Sequence, residues 1–589
     1  MRGRSKLPAT HYSVGQGMRN SLWGRRATRF VALVSLLVAQ LPVRANDLQI
    51  HEAAMQLQAQ HNDAAIKLLK AVLAREPENY NALRMLSRAY ILAKQDEQAL
   101  PILTKLLALR ADAPREMLDV AAIRLKQHEK DAALDWLQKV AATKRFDMPS
   151  IEFDPRFDEL HSDTRFAGLL RASDSPSKLF VEDVKIIGEW DGEGANDQFG
   201  WIARSLGDVD GDGVADFVTS APTRKIGGDN AGKVYVYSTR SKKLLWSVDG
   251  QPGDQLGSGL ESAGDTDGDG IQDVIASAPD HDKAFVYSGK DGHTLLSLTG
   301  EAAGDAFGNH VSSVGDIDGD GHADVIVGAP GNNASGKGAG SAYVYSGKDG
   351  HLLLALRGEH EGDGFGSAVS GYSDAKNHFI VVGAPGAGAR KTGRVYVYAN
   401  LSAKPKFTFD SDETGRQLGY MFVSVLGDVD ADGVPDIFAS DWSNDSAGPA
   451  AGRVYVYSGR TGRRIHAFSG DSAGEGFGTT ESIAGDVDGD GAADLIVGSW
   501  QYSVDAISGG KARLYSGKTG KLLRAYTSRV PGETFGFDAV GLGDVDGDGS
   551  IDFLITSGWS PVHGYHSGRV FIISSGIAAH ALFPGTSER

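Results

Sequence analysis

The 589-residue chain has no cysteine, so disulfides, thiolate metal sites and thiol nucleophiles are excluded. It also lacks a surplus of basic residues: 59 Lys and Arg face 76 Asp and Glu, for a formal charge of −17. Phosphate binding needs a basic surface, so no nucleic-acid partner is expected. The 16 histidines are scattered and none falls in a His-Glu-x-x-His pattern. Long apolar runs are missing as well. Phe30 to Leu41 is well short of the roughly 20 residues that span a bilayer.

Residues 1–45 have no acid at all, against eight Lys or Arg. A basic segment, a short apolar run and the small-residue site Val43-Arg44-Ala45 read as a secretory signal, with an uncleaved N-terminal anchor as the alternative. A start at Met18 gives a signal of ordinary length. The mature chain is then more acidic still and has no transmembrane helix. The expected location is outside the cytosol, in the periplasm, at the cell surface or beyond, where calcium fills even weak sites.

What the chain has in excess is glycine, 77 residues, and aspartate in one fixed pattern. Asp208, Asp210, Asp212 and Asp216 occupy relative positions 1, 3, 5 and 9 around a Gly at position 6. Calcium takes about six to eight oxygens in flexible geometry. Carboxylates at 1, 3 and 5 converge when a glycine lets the loop turn sharply. A carbonyl at position 7 and a bidentate carboxylate at position 9 complete the expected shell. The pattern returns as Asp265, Asp267, Asp269, Asp273; Asp316, Asp318, Asp320, Asp324; Asp428, Asp430, Asp432, Asp436; Asp486, Asp488, Asp490, Asp494; and Asp544, Asp546, Asp548, Asp552. One such loop could be a solvated acidic turn, but six with the same spacing point to as many as six structural Ca2+. An EF-hand needs Glu at position 12 and flanking helices. Position 12 here is Thr219, Ala276, Val327, Ala439, Val497 or Ile555, inside strand-like runs, so the loop joins two β-strands.

Between about 47 and 172 the apolar period is helical. Ala53, Ser87 and Ala121 are 34 residues apart, as are Ala65, Ala99 and Ala133, and Leu69, Leu103 and Leu137. Small residues let paired helices approach while a leucine fills between them, and Pro77 and Pro114 fall between helix pairs. The period and these positions resemble the tetratricopeptide repeat in three copies. Phe153 to Leu160 with Arg165-Phe166 resembles the tail that caps such arrays. The resemblance implies a concave face that takes a peptide of a partner protein; a spacer arm without a ligand is the alternative. Residues 173–184 read as a linker.

From 185 to 585 the sequence repeats seven times. A Phe-Gly or Leu-Gly starts each unit, at Phe199, Leu256, Phe307, Phe365, Leu418, Phe477 and Phe535. The Asp loop, an Ala-Pro or its variant, a Val-Tyr-Val-Tyr-type strand and a further apolar stretch follow. Four short period-two strands per unit cannot bury both faces alone, whereas a radial array buries one sheet against the next. This order of Phe-Gly, Asp loop and Gly328-Ala329-Pro330 resembles the FG-GAP repeats of the integrin α-subunit. The fold class expected is therefore multidomain, an all-α helical repeat followed by an all-β seven-bladed propeller. The resemblance implies that an N-terminal strand, Val184 to Trp190, closes the last blade; Ala578 to Phe583 is the rival.

Two departures from the pattern matter. The fourth unit, Gly371 to Phe379, keeps one Asp and is expected to hold no calcium. Units 5 to 7 replace Ala-Pro by Asp441-Trp442, Ser499-Trp500 and Gly558-Trp559. In the integrin resemblance the rim opposite the calcium loops contacts ligand. Trp442, Trp500 and Trp559 then either form part of a protein- or glycan-binding patch or plug the ends of adjacent blades.

Catalytic look-alikes fail on context. Gly470-Asp-Ser472-Ala-Gly474 matches a nucleophile pattern, but it aligns with Gly300 to Gly304 of another unit and has no strand-to-helix elbow. Gly331 to Gly338 nearly spells a phosphate loop, without its Ser or Thr and without a following helix. The reading is an exported calcium-binding propeller that binds protein or polysaccharide as an adhesion or scaffold module, with the helical arm as a second site and no catalytic residues. The alternative is an extracellular carbohydrate-active enzyme, a lyase or hydrolase, with an acid and a base converging in the central funnel.

Overall fold

The computed structural model describes residues 45–170, 176–227, 230–480 and 482–577. The expected signal and the rival closing strand Ala578 to Phe583 lie outside the described residues.

Six helices form three antiparallel pairs: α1 (Ala45–Gln58), α2 (Asn62–Leu73), α3 (Tyr80–Leu92), α4 (Asp96–Leu109), α5 (Pro114–Lys126) and α6 (Lys130–Ala142). The 34-residue small positions are where the helices touch. Ala53, Ala65, Ala99, Ala121 and Ala133 are fully buried, as are Leu69, Leu103 and Leu137. Asn79 caps α3 by accepting the Ala82 N–H at 2.9 Å, and Pro114 opens α5, where no N–H partner is needed. Two 3₁₀ turns, Met148–Phe153 and Pro155–Leu160, and α7 (Thr164–Leu169) close the array with Phe157, Leu160 and Phe166 in its core.

Seven four-stranded antiparallel sheets follow. Blade 1 is β2 (Ala203–Gly207), β3 (Asp216–Ser220), β4 (Lys233–Tyr237) and β5 (Leu244–Asp249), and the order repeats up to β25 (Leu522–Thr527), the outer strand of blade 6. Blade 7 takes β26 (Ala539–Gly543), β27 (Asp552–Ser557) and β28 (Arg569–Ser574) from the end of the chain. Its fourth strand is β1 (Ile186–Asp191), antiparallel to β28 from Ile186 opposite Ile573 to Asp191 opposite Arg569. The N-terminal strand therefore closes the ring.

The Phe-Gly residues fasten each blade to the one before it. All seven apolar members are almost fully buried, each gaining about 2 kcal/mol from desolvation. Their N–H groups donate to the preceding blade's loop between its second and third strands, as in Phe199 to Ser567 O at 3.1 Å and Phe535 to Gly509 O at 3.0 Å. A Cβ at Gly568 would sit 2.0 Å from the Phe199 carbonyl oxygen, so the clasp needs glycine there. In blade 2 that loop is a single turn, Pro279–His281, and the Asp282 carboxylate replaces the carbonyl, accepting Phe307 N–H at 3.1 Å.

The segment before β1 is not a free linker. Phe180 is 5% exposed and packs edge-on against Phe535 and Phe571. Val181 N–H donates to Thr527 O, and Glu182 accepts from the Thr527 N–H and hydroxyl. Apolar Leu179-Phe180 draws the chain onto blades 6 and 7, which the polar run before it concealed.

Candidate metal centres and the opposite rim

Each Asp loop leaves the innermost strand of its blade and enters the second. In blade 1 a bulge at Gly207, at φ +67°, starts it. Asp208 organises the turn by accepting the N–H groups of Gly211, Asp212 and Gly213 at 2.8 to 3.0 Å. Asp316 and Asp544 accept the same three in blades 3 and 7, and the first aspartates of blades 2, 5 and 6 accept two of them. Gly211 and Gly213 are left-handed, at φ +78° and +83°. In blade 5 the first of these positions is Ala431, held at φ +58°.

These turns bring carboxylates together. One oxygen from each of Asp208, Asp210 and Asp212 lies within 4.8 Å of the others, and the same holds for Asp265, Asp267 and Asp269, and for Asp316, Asp318 and Asp320. In blades 5 and 6 the sets are Asp428, Asp430 and Asp436, and Asp486, Asp488 and Asp494. Asp544, Asp546, Asp548 and Asp552 repeat the loop in blade 7, where Lys185 Nζ stands 2.6 Å from Asp546 and 2.7 Å from Asp548. An all-oxygen carboxylate set in a turn this flexible fits a hard cation such as Ca2+.

The ninth position has a second task that its spacing does not disclose. Asp216 is fully buried; its Oδ2 accepts the Val209 N–H at 2.9 Å and its Oδ1 accepts the Thr239 N–H at 2.9 Å. Asp273, Asp324, Asp436 and Asp494 likewise hold the N–H of Gly289, Gly347, Gly459 and Gly517. Oδ1 is thus tied to the turn after the third strand, and Oδ2 faces the loop. Burial first, then neighbouring carboxylates, pushes Asp324 and Asp494 up to about 6 and Asp436 to about 7. A bound cation acts in the opposite direction, favouring the ionised form.

Blade 4 departs as a unit. Its Asp374 accepts the Lys376 and Asn377 N–H groups in a short turn, and His378 opens the paired part of the second strand, opposite Ser373. Its turn carries one carboxylate, Asp374, where the other six loops carry four.

On the opposite rim the helical domain sits on blades 5 to 7. His51 reaches Asp445, and Arg416 reaches Gln58 at 2.7 Å. Arg115 donates to Ser503 and Ser508, and Arg145 donates to the carbonyls of Ser503 and Val504 while its own carbonyl accepts Ile507 N–H at 2.6 Å. Phe153 stacks on Tyr565 with centroids 4.3 Å apart. These blades are the ones that exchange Ala-Pro for a Trp pair. Trp500 is 7% exposed and meets Trp559 edge-on at 4.6 Å; Trp442 and Trp559 are half-buried. The indole N–H of all three is buried without a partner.

Among the described residues, the innermost strands carry a buried ion cluster. Arg204 of β2 donates to Glu261 of blade 2 at 2.7 Å and pairs with Asp538, just ahead of β26. His310 stands nearby, 6.0 Å from Phe422 between ring centroids; burial, then the Arg204 charge, lowers its pKa to about 4. Glu261 and Asp538 are both engaged by the same guanidinium.

The FG-GAP repeat family matches residues 199–237 and 307–345, an FG-GAP-like repeat matches 428–497, and a tetratricopeptide repeat matches 56–122. Chicken (Gallus gallus) integrin alpha-V is 30% identical over 207 residues, covering 32% of this chain and 20% of that protein. Integrin alpha pat-2 of Caenorhabditis briggsae is 30% identical over 272 residues, 43% of this chain and 18% of its own length. Bovine (Bos taurus) integrin alpha-2 is 28% identical over 300 residues, with coverages of 46% and 24%. The matches thus span about a fifth of the relatives' length. The chain carries a tetratricopeptide-repeat region followed by a seven-bladed β-propeller of FG-GAP repeats, and integrin α-subunits are among its relatives.

Proposed function

We propose that this is an exported, calcium-stabilised interaction module that binds protein or polysaccharide through the propeller rim, as an adhesion or scaffold component. The observation that carries this reading is the docked helical domain. Rim loops of blades 5 to 7 already hold a folded protein domain through ion pairs, main-chain hydrogen bonds and an aromatic stack. The equivalent segments of blades 1, 3 and 4, which lead into Lys233, Ser341 and Arg394, are built on the same clasp, and we assign them to an external partner. Six Ca2+ held by the Asp loops neutralise clustered carboxylates and brace the far rim. No described helix is long and apolar enough to cross a membrane. The test is to immobilise the chain in calcium, offer it envelope proteins and polysaccharides, and elute with a chelator. A partner released by chelation supports the reading. Identical capture by a chain whose blade 1 and blade 3 rim loops are replaced with glycine-serine sequence overturns it.

A further inference from the structure

Between the tail of the helical domain and blades 6 and 7 lies a cavity of about 550 Å³. This is an ordinary size for a small-molecule site. Its walls come from both domains: Asp147 and Phe153 on one side, Gln501, Trp559, Tyr565 and His566 on the other. Several of its polar groups lack a hydrogen-bond partner among the described residues. These are the Asp147 carboxyl, the Gln501 amide, the Tyr565 hydroxyl, the His566 ring nitrogens and the buried Trp559 indole N–H. Burial alone pushes Asp147 up to about 6 and His566 down to about 4, so the histidine is neutral and both donates and accepts. Of these only the Trp559 indole nitrogen is shut off from water; the others are half-buried, and all of them border the same space.

The chemistry of the lining selects the ligand. No Lys or Arg borders the cavity, which disfavours an anion. The ring faces are largely spent on one another: Phe153 on Tyr565, Tyr565 on His566 at 3.7 Å, and His566 on Trp559 at 4.9 Å. An organic cation needs free faces. What remains is a set of mixed donors and acceptors beside apolar ring edges, and this suits a ligand with many hydroxyls on an apolar frame. We infer that the cavity between the helical tail and blades 6 and 7 binds a neutral saccharide of about one or two rings. The inference rests on the reading of this rim as a binding surface and names the ligand class for one part of it.

The test is titration of the full chain in calcium with maltose, cellobiose, lactose and N,N′-diacetylchitobiose, followed by tryptophan fluorescence and calorimetry. At least one sugar is expected to bind with a Kd of ~1 mM or tighter. Gln501→Ala and Asp147→Ala are each expected to weaken it ~10-fold or more, at unchanged Tm. Asp147 makes no side-chain hydrogen bond, so its removal leaves the fold intact and a loss of binding reports on the cavity. The inference is overturned if none of the sugars binds at ~10 mM, if both variants bind like the parent, or if choline chloride binds in their place. Calcium-dependent capture of envelope partners, measured on the same samples, separates the two readings. Capture that persists without sugar binding overturns the saccharide alone.

Discussion

His51 Nδ1 of the first helix lies 2.7 Å from Asp445 Oδ2 of blade 5, joining residues 394 positions apart. The carboxylate side chain is only 1% exposed and also faces Arg416 at 3.6 Å. Removing the imidazole leaves a buried carboxylate short of a partner. His51→Ala is therefore expected to weaken the docking by about 1–3 kcal/mol. Hydrogen exchange is the measurement, with faster exchange in α1 and in residues 443–452 and no change in blades 1 to 3. Unchanged protection in α1 would show that the pair is incidental.

Native mass spectrometry of the chain in calcium should find six ions and not seven, because blade 4 has a short turn where the others have an Asp loop. Asp208→Ala should remove one ion and lower Tm, since that side chain holds three loop N–H groups as well as belonging to the carboxylate cluster. In blade 7, Lys185 pairs with two carboxylates of the loop, so Lys185→Met should tighten the weakest step of a calcium titration. Ala431→Gly should stabilise the chain by about 0.5–1 kcal/mol, by relieving a left-handed alanine. A seven-ion count would contradict the reading of blade 4.

His310 makes acid stability predictable in sign. Its folded pKa, about 4, lies below the ordinary 6.5, so the neutral ring is favoured in the fold. The stability it permits is complete above pH 6.5 and is lost as pH falls toward 4. Removing its titration should flatten part of that acid limb, by up to about 3 kcal/mol. Chemical denaturation of the parent and His310→Phe at pH 7 and pH 5, both saturated with calcium, is the comparison. Equal losses in the two chains would place the acid sensitivity elsewhere.

Phe180→Ala should destabilise the propeller by about 3–5 kcal/mol, as for other buried phenylalanines. A substitution in a free tether would cost almost nothing. Denaturant midpoints of the propeller transition distinguish the two.

The repeat grammar was readable because each of its elements has one local physical job. The aspartates fold their own loop, the Phe-Gly residues fill the gap between blades, and the 34-residue alanines sit where helices touch. The closing strand was readable only through the integrin resemblance, since a spare strand stood at each end of the repeats. The docking of the two domains was not, because His51, Arg145 and Phe153 belong to no period and find partners more than 350 residues away. A partial signal existed. The Trp pairs of blades 5 to 7 broke the Ala-Pro rule in the three blades that meet the helical domain. The double role of Asp216 and its equivalents was hidden too, because the N–H on Oδ1 comes from a turn two strands later.

The route by which the chain enters the ring sets how the two domains share mechanical load. Force applied through the helices reaches the propeller along residues 179–191. That path is fastened first to the edge of blade 6 through Phe180, Val181 and Glu182, and only then runs as β1 against β28. Tension on the helical domain must therefore break its rim contacts and strip Phe180, Val181 and Glu182 from blade 6 before it can peel the closing strand, and the seam of the ring is shielded from the load that its position would otherwise concentrate.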